Sequence, residues 1–69
     1  MFNQKKLKAQ MVLKGMTVSE LSKALDIDQS TFHRKMRNDG SFTREEINTI
    51  IQVLEIENPA DIFFAKELA

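Results

Sequence analysis

Cysteine, tryptophan and tyrosine are absent from this sequence, and its 69 residues include only two glycines and one proline. Without cysteine, neither disulfide bonds nor thiolate metal sites can hold a fold together. The single histidine gives little basis for another kind of metal site. The length is near the lower limit for an unstapled domain, so stability must come from efficient packing, and few helix-breaking residues favour helices. We therefore expect one all-α domain over residues 1–69, with no metal and no cofactor.

Long apolar runs are absent as well. No segment approaches the length of a membrane span, and no apolar signal core follows the basic N-terminus. We find no nucleophile paired with a base, no phosphate-binding glycine loop and no metal-ligand spacing. Ser30 and His33 share one helix but lack an orienting acid. We therefore expect a cytoplasmic protein that is not an enzyme and that binds neither membranes nor a small-molecule substrate.

Positive charge is concentrated in the first part of the chain, although the net charge is zero. Residues 1–40 carry eight Lys or Arg and four Asp or Glu, a net charge of +4. Residues 41–69 carry two cations and six anions, a net charge of −4. This asymmetry suggests a polyanionic partner. A chance distribution of solvated charges explains it about equally well.

The segment 17–36 is typical of two short helices joined by a tight turn. Thr17 and Glu20 have the spacing of a capping box, which marks the start of the first of these helices. Asp28 is a natural N-cap for the second and makes Gln29 its first residue. This layout predicts a helix-turn-helix, whose second helix lies in the DNA major groove.

The second of these helices is predicted to cover about residues 29–37. Phe32 and Met36 are four residues apart, so they form its inward face. Phe32 could instead stack on a base, as in proteins that bind single strands, but its spacing with Met36 favours the core. The remaining polar side chains point away from the core and are available to a partner.

Three further helices complete the predicted fold. The first covers about residues 4–13. Thr43 and Glu46 form another capping box, at the start of a fourth helix that runs to about Leu54. Asn58-Pro59 resembles an N-cap followed by proline at the first helical position, which starts a short fifth helix. A helix cannot turn Ile62, Phe63 and Phe64 all into one small core, so at least one should be exposed in a monomer, which suggests an interface. The alternative is that the chain end folds back and covers them.

These residues resemble the Cro and lambda-type repressor family of helix-turn-helix domains, also called XRE-like. The resemblance covers about residues 5–64 and is strongest in four segments: Gly15-Met16-Thr17, Glu20-Leu21-Ser22, Gln29-Ser30 and Phe42 to Ile47. It implies a five-helix, lambda-repressor-like bundle in which helices 2 and 3 form the helix-turn-helix. It also implies binding to pseudo-palindromic operator DNA, usually as a homodimer.

The resemblance assigns roles to individual residues. Gln29, Ser30 and Arg34 match positions that commonly meet base edges, and arginine suits guanine as glutamine suits adenine. Five residues lie near positions that contact phosphates: Thr31, Asn38, Ser41, Thr43 and Arg44. His33 borders the same face and could donate to a phosphate, although a solvated surface histidine is the simpler interpretation. Helix 5, with Ile62, Phe63 and Phe64, matches the usual dimer surface.

Three features, at four positions, depart from the family pattern. Asp26 stands where the turn usually has glycine, and aspartate tolerates the left-handed conformation better than most residues. Met11 and Met36 stand where many relatives have an arginine and a glutamate that form a partly buried ion pair. An apolar pair can replace such ions, so we predict that Met11 contacts Met36. Val18 replaces a glutamine that grips a phosphate, and valine cannot make that contact.

Two functions fit the sequence. The first is sequence-specific binding of double-stranded DNA by a transcriptional regulator, such as a phage- or plasmid-type repressor or a Cro-like protein. The second is a protein-interaction module, such as an antirepressor or antitoxin-like partner, that retains the fold without specific DNA binding. The acidic C-terminal half suits the second function. The clustering of Gln29, Ser30 and Arg34 favours the first.

Overall fold

The computed structural model of the protein describes residues 2–64, and within this range every regular element is an α-helix. The helices are α1 (Gln4–Leu13), α2 (Val18–Ala24), α3 (Gln29–Arg37), α4 (Arg44–Leu54) and α5 (Ala60–Phe63). The all-α fold predicted from the sequence is therefore confirmed. None of these helices is long and apolar enough to cross a membrane.

Side chains cap the first four helices. The Asn3 side chain accepts a hydrogen bond from the Lys6 amide at the start of α1. Both predicted capping boxes form, with Thr17 and Glu20 at the start of α2 and a second pair at α4. Asp28 caps α3 by accepting from the Thr31 amide. Local sequence signals thus fix where each of these helices begins.

The turn of the helix-turn-helix depends on one left-handed residue. Asp26 has a φ of 58°, so an aspartate occupies the conformation that glycine usually supplies, as expected. The turn is closed by the Ile27 amide, which donates to the Ser22 carbonyl at 3.0 Å. Gly15 precedes α2 with a φ of 65° and open space around its Cα, so this position needs glycine for its backbone alone.

The core lies where the helix-turn-helix packs against the remaining helices. Helix α2 contacts both α3 and α4, while α5 packs on α1. The core consists of the buried apolar residues Leu7, Met11, Leu21, Leu25, Phe32, Met36, Phe42, Ile50, Leu54, Ile56, Ile62 and Phe63. Phe32 is thereby confirmed as a core residue. Met11 and Met36 are both buried in this cluster, and their direct contact stays a prediction.

Ser22 is the one buried polar residue in the described part of the chain. Its small side chain lies on α2, where the neighbouring helices approach. The hydroxyl finds no hydrogen-bond partner among residues 2–64. An unsatisfied buried hydroxyl costs roughly 1–3 kcal/mol of stability. Ser22 therefore fits the site by size and not by its polarity.

Two expectations for α5 need correction. Pro59 is the N-cap and not the first helical residue, and the helix begins at Ala60 without a side-chain cap. Asn58 does not act as an N-cap acceptor, because its side-chain amide donates to the Asp61 carboxylate at 3.0 Å. Ile62 and Phe63 are only 3% and 7% exposed, whereas Phe64 is 63% exposed. The prediction that at least one of the three is exposed is confirmed for Phe64. The alternative of a folded-back chain end concerns residues 65–69, which lie outside the described residues.

Candidate nucleic-acid interface

One face of α3 is polar and exposed over its whole length. Phe32 and Met36 are buried and anchor the helix on the core. The opposite side chains, Gln29, Ser30, His33, Arg34 and Arg37, are all exposed. The structure therefore brings the three predicted base-contact residues together on one surface of a rigidly anchored helix. Thr31 lies at the flank of this surface and is half-buried.

The N-terminus of α3 is organised by the Asp28 carboxylate. Its Oδ1 accepts hydrogen bonds from the Thr31 amide at 2.8 Å and from the Ser30 hydroxyl at 3.0 Å. Hydrogen bonding from Thr31, and then from Ser30, holds the pKa of Asp28 below its ordinary value. Because the Ser30 hydroxyl donates its proton to Asp28, its free lone pairs make it an acceptor. This arrangement suits an amino group on a base edge.

The loop from α3 to α4 carries several of the predicted phosphate contacts. The Asn38 amide closes α3 by donating to the Arg34 carbonyl, and the Ser41 amide donates to the Lys35 carbonyl at 3.3 Å. Asp39 and Gly40, with φ of 55° and 65°, turn the chain between them. Asn38 and Ser41 are both exposed. The loop thus presents short polar side chains beside the C-terminal end of α3.

The start of α4 offers a second group of donors. Thr43 and Arg44 are exposed. The Thr43 hydroxyl accepts from the Glu46 amide at 3.1 Å, and the Thr43 amide donates to the Glu46 carboxylate at 2.8 Å. The Thr43 hydroxyl is therefore engaged in the capping box, and its hydrogen bonding also helps to lower the pKa of Glu46. Arg44 adds a formal charge at a helix start, which already carries partial positive charge.

Lys35 does not belong to the exposed face of α3, although it lies on that helix. Its Nζ is 2.6 Å from Oε1 of Glu46 on α4, and the two side chains are only 15% and 12% exposed. Burial alone would raise the pKa of Glu46. Hydrogen bonds and charge from Lys35, together with Thr43, outweigh burial and lower it. The ion pair fastens α3 to the start of α4.

Ion pairs join the basic first part of the chain to its acidic second part. Three cations of residues 1–40 face anions of residues 41–64: Lys6 with Asp61, Lys14 with Glu55 and Lys35 with Glu46. Within residues 2–64, Arg34 and Arg37 form no such pair and remain exposed beside the polar face of α3. The acidic half therefore neutralises lysines on other surfaces, whereas the anion that acts on Arg34 is the Asp28 cap of its own helix.

Val18 and His33 can now be placed. Val18 is the first residue of α2, partly buried and packed against the core. It therefore has a packing role in place of the phosphate contact that a glutamine would make. His33 is exposed, and its ring lies edge-on to that of Phe32 at 6.1 Å between centroids. Among residues 2–64, no group of three or more His, Cys, Asp or Glu is arranged to hold a metal.

One element of this region had no signal in the sequence. Phe2 lies against the α3–α4 loop, and its amide donates to Oδ1 of Asp39 at 3.2 Å. Its ring also packs with Phe42 and Phe63. An aromatic residue outside the periodic pattern of α1 gives no indication of its partners, since they lie about forty and sixty residues further along the chain.

Comparison with known proteins identifies the family of this chain. The family model described as a Cro/C1-type HTH DNA-binding domain matches residues 6–66, which is most of the chain. Searches of curated proteins and of solved structures gave no significant match. The matched range includes the complete helix-turn-helix, the α3–α4 loop and α4. The chain therefore belongs to the Cro/C1-type helix-turn-helix family of DNA-binding domains.

Proposed function

We propose that the protein is a transcriptional regulator that binds double-stranded operator DNA sequence-specifically, as a phage- or plasmid-type repressor or Cro-like protein does. The observation that carries this proposal is the exposed polar face of α3, a helix that Phe32 and Met36 anchor in the core. Membership of a family of DNA-binding domains supports it. Helix α3, residues 29–37, would lie in the major groove, where each base pair presents a distinct pattern of donors and acceptors.

Base reading is assigned to three residues. Arg34 can donate two hydrogen bonds to O6 and N7 of guanine, and Gln29 can pair with N6 and N7 of adenine. Ser30, already donating to Asp28, would accept from a base amino group. Each good bidentate pair gives roughly 1–3 kcal/mol of discrimination against a wrong base. A few contacts of this kind per subunit are enough for a specific operator.

Phosphate contacts would fix the position of α3 on the duplex without reading sequence. We assign them to the exposed residues that flank α3: His33, Asn38, Ser41, Thr43 and Arg44. Thr31 is half-buried and reaches the surface only at the edge of this group. Asn38, Ser41, Thr43 and Arg44 all follow the C-terminal end of α3, so we expect them to meet the phosphates at that end of the reading helix.

We further propose that the protein acts as a homodimer on a pseudo-palindromic site. One subunit offers few base contacts, whereas two related by a twofold axis would read half-sites about 34 Å apart. Burial of Ile62 and Phe63 removes them from the predicted dimer surface and leaves Phe64. Phe64 borders a depression that is also lined by Ile47, Ile51 and Pro59. This α4–α5 surface is the proposed interface.

Selection of bound duplexes from a random pool, followed by sequencing, tests the proposal. We expect an enriched inverted repeat. Arg34→Ala should then lower affinity for that repeat by about 5- to 150-fold, the equivalent of one bidentate contact, with a much smaller loss on random duplex. Lys6→Ala is the charge-matched control, because Lys6 faces Asp61 on α5. Failure to enrich any sequence, with equal losses in both variants, would contradict sequence-specific binding.

The α4–α5 surface also favours one second candidate, a protein-interaction module of the antirepressor or antitoxin-like kind. Phe64 is exposed, and the net charge of the chain is zero. In that case the selection would recover no sequence, and substitution of Arg34 would leave partner binding unchanged.

A further inference from the structure

The N-terminal segment is held to α5 and to the start of α4. The Asn3 amide donates to the Ile62 carbonyl at 2.6 Å. The Phe2 ring lies 5.8 Å from the ring of Phe63 and 6.0 Å from that of Phe42, measured between centroids. Aromatic pairs at such distances stabilise by roughly 0.5–1.5 kcal/mol beyond the area that they bury. Phe2 is therefore fixed from one side by the core.

The other side of Phe2 faces the α3–α4 loop. Its amide donates to the Asp39 carboxylate at 3.2 Å. A methyl group added to Gly40 would overlap the Cβ, Cγ and Cδ1 atoms of Phe2, so the ring lies directly against the bare Cα of this glycine. Gly40 is thus required twice, by its positive φ and by the close approach of the ring.

Backbone hydrogen bonds hold part of this loop from within. The Ser41 amide donates to the Lys35 carbonyl at 3.3 Å, and the Phe42 amide donates to the Gly40 carbonyl at 2.6 Å. Asp39 and Gly40, between these bonds, are both left-handed. Left-handed aspartate is a strained conformation that persists when its surroundings impose it. Phe2 supplies such surroundings through a hydrogen bond to Asp39 and a ring contact with Gly40.

The same ring reaches the reading helix through one intermediate. Phe42 lies between Phe2 and Phe32, and its ring is 5.7 Å from that of Phe32. Phe32 is a buried anchor of α3. Phe2 therefore restrains the α3–α4 loop close to Phe32. Displacement of the Phe2 ring would change the position of this loop relative to the exposed face of α3.

We propose that Phe2 is a positioning residue for DNA binding: it holds the α3–α4 loop in the conformation in which Asn38 and Ser41 contact phosphate. The inference rests on the proposed function, since it concerns the phosphate contacts of that surface. Phosphate contacts carry no sequence information. Loss of Phe2 therefore weakens binding to every duplex by the same factor and leaves the ratio of specific to random affinity unchanged.

The test compares Phe2→Ala with the parent protein on the selected operator and on a random duplex of equal length, at a temperature where both proteins are folded. We expect affinity for both duplexes to fall about three- to tenfold, the loss of one aromatic restraint expressed as affinity. The slope of log affinity against log salt should stay the same, because Asn38 and Ser41 are uncharged and their phosphate contacts release no counterions. Amide hydrogen exchange at Ser41 and Phe42 should accelerate.

Val53→Ala is the matched control, because Val53 is partly buried on the core in the C-terminal half of α4. It should lower stability without changing the affinity for either duplex or the loop exchange. Gly40→Ala disturbs the contact from the loop side and replaces Phe2→Ala if that variant does not fold. When Phe2→Ala and Gly40→Ala are combined, the methyl group added at position 40 no longer meets a ring. The combined fold-loss of affinity should therefore be smaller than the product of the two single fold-losses.

The outcomes separate the two proposals. A parent protein that binds no duplex overturns the proposed function. A parent that binds, with Phe2→Ala equal to it in affinity, overturns the positioning role alone. A loss confined to the operator also overturns that role, because it would show that Phe2 affects base reading and not phosphate contact.

Discussion

The Lys35–Glu46 ion pair allows the sharpest test of how α3 is fastened. Glu46→Gln keeps a side chain of the same shape, and glutamine can still accept from the Thr43 amide as a capping-box residue does. The substitution therefore removes the charge and little else. The Lys35 and Glu46 side chains are 15% and 12% exposed, so the pair lies between the exposed and the buried class of ion pairs. Exposed pairs stabilise by about 0–1 kcal/mol, and breaking a buried pair costs about 3–5 kcal/mol.

We expect Glu46→Gln to lower the free energy of unfolding by about 1–2 kcal/mol, an interpolation between those two ranges. For a domain of this size, that loss corresponds to a decrease in Tm of about 4–16 °C. Lys35→Met should cost at least as much, because it leaves a largely buried carboxylate without its cation. In the double variant the two losses should not add, since both remove the same interaction.

The pH dependence of this difference follows from the lowered pKa of Glu46. A carboxyl whose pKa is lower in the folded state stabilises the fold above its unfolded-state pKa, and that stabilisation is lost as the pH falls through the folded-state value. The difference between parent and Glu46→Gln should therefore be constant above about pH 5 and shrink below about pH 4. Thermal unfolding of both proteins, followed by circular dichroism from about pH 3 to about pH 7, measures this difference in stability.

Glu45→Gln is the control, because Glu45 is the neighbouring residue in the first turn of α4, carries the same charge and is exposed. It should change the free energy of unfolding by less than about 0.5 kcal/mol, as surface substitutions usually do. Equal stabilities for the Gln variants at positions 45 and 46 at neutral pH would refute the role given to the ion pair. So would a Glu46→Gln deficit that persists unchanged in acid.

Three further predictions concern packing and association. Ser22→Ala should raise the free energy of unfolding by about 1 kcal/mol in urea titrations, because it removes an unsatisfied buried hydroxyl; a loss of stability would mean that the hydroxyl has a partner. Met36→Glu should destabilise by several kcal/mol, and adding Met11→Arg should recover most of that loss if the two side chains meet; simple additivity would contradict their contact. Phe64→Ser should weaken self-association in sedimentation equilibrium and shift Tm by only a few degrees, since Phe64 is exposed; unchanged association would place the dimer surface elsewhere.

The parts of the fold that could be predicted from sequence are those fixed by neighbours in the chain. The capping boxes at Thr17 and Thr43 and the cap at Asp28 act over three residues, so the sequence contains the whole interaction. The left-handed conformation of Asp26 was predicted differently, from the resemblance, because the family turn usually has glycine at this position. The exposed face of α3 followed from the spacing of its two apolar anchors.

The parts that could not be predicted depend on how distant elements meet. Lys35 and Glu46 lie on different helices, and their contact requires the loop between them to return at one particular angle. Phe2 meets partners far along the chain, which helical periodicity cannot reveal. Ile62 and Phe63 are buried because α5 docks on α1. Asn58 gave a misleading cap signal, since Asp61 three residues later takes its side-chain amide.

The restraints around α3 share one consequence for recognition. Phe32 anchors the helix in the core, Asp28 fixes its first turn, and Lys35 joins its inner flank to Glu46 on α4. A helix held at these three points loses little freedom when it enters a groove, so more of the energy of each base contact appears as affinity. A domain with zero net charge has weak general attraction for a polyanion. Such a domain depends on preorganised contacts more than a basic one does, and discrimination between sequences gains from that dependence.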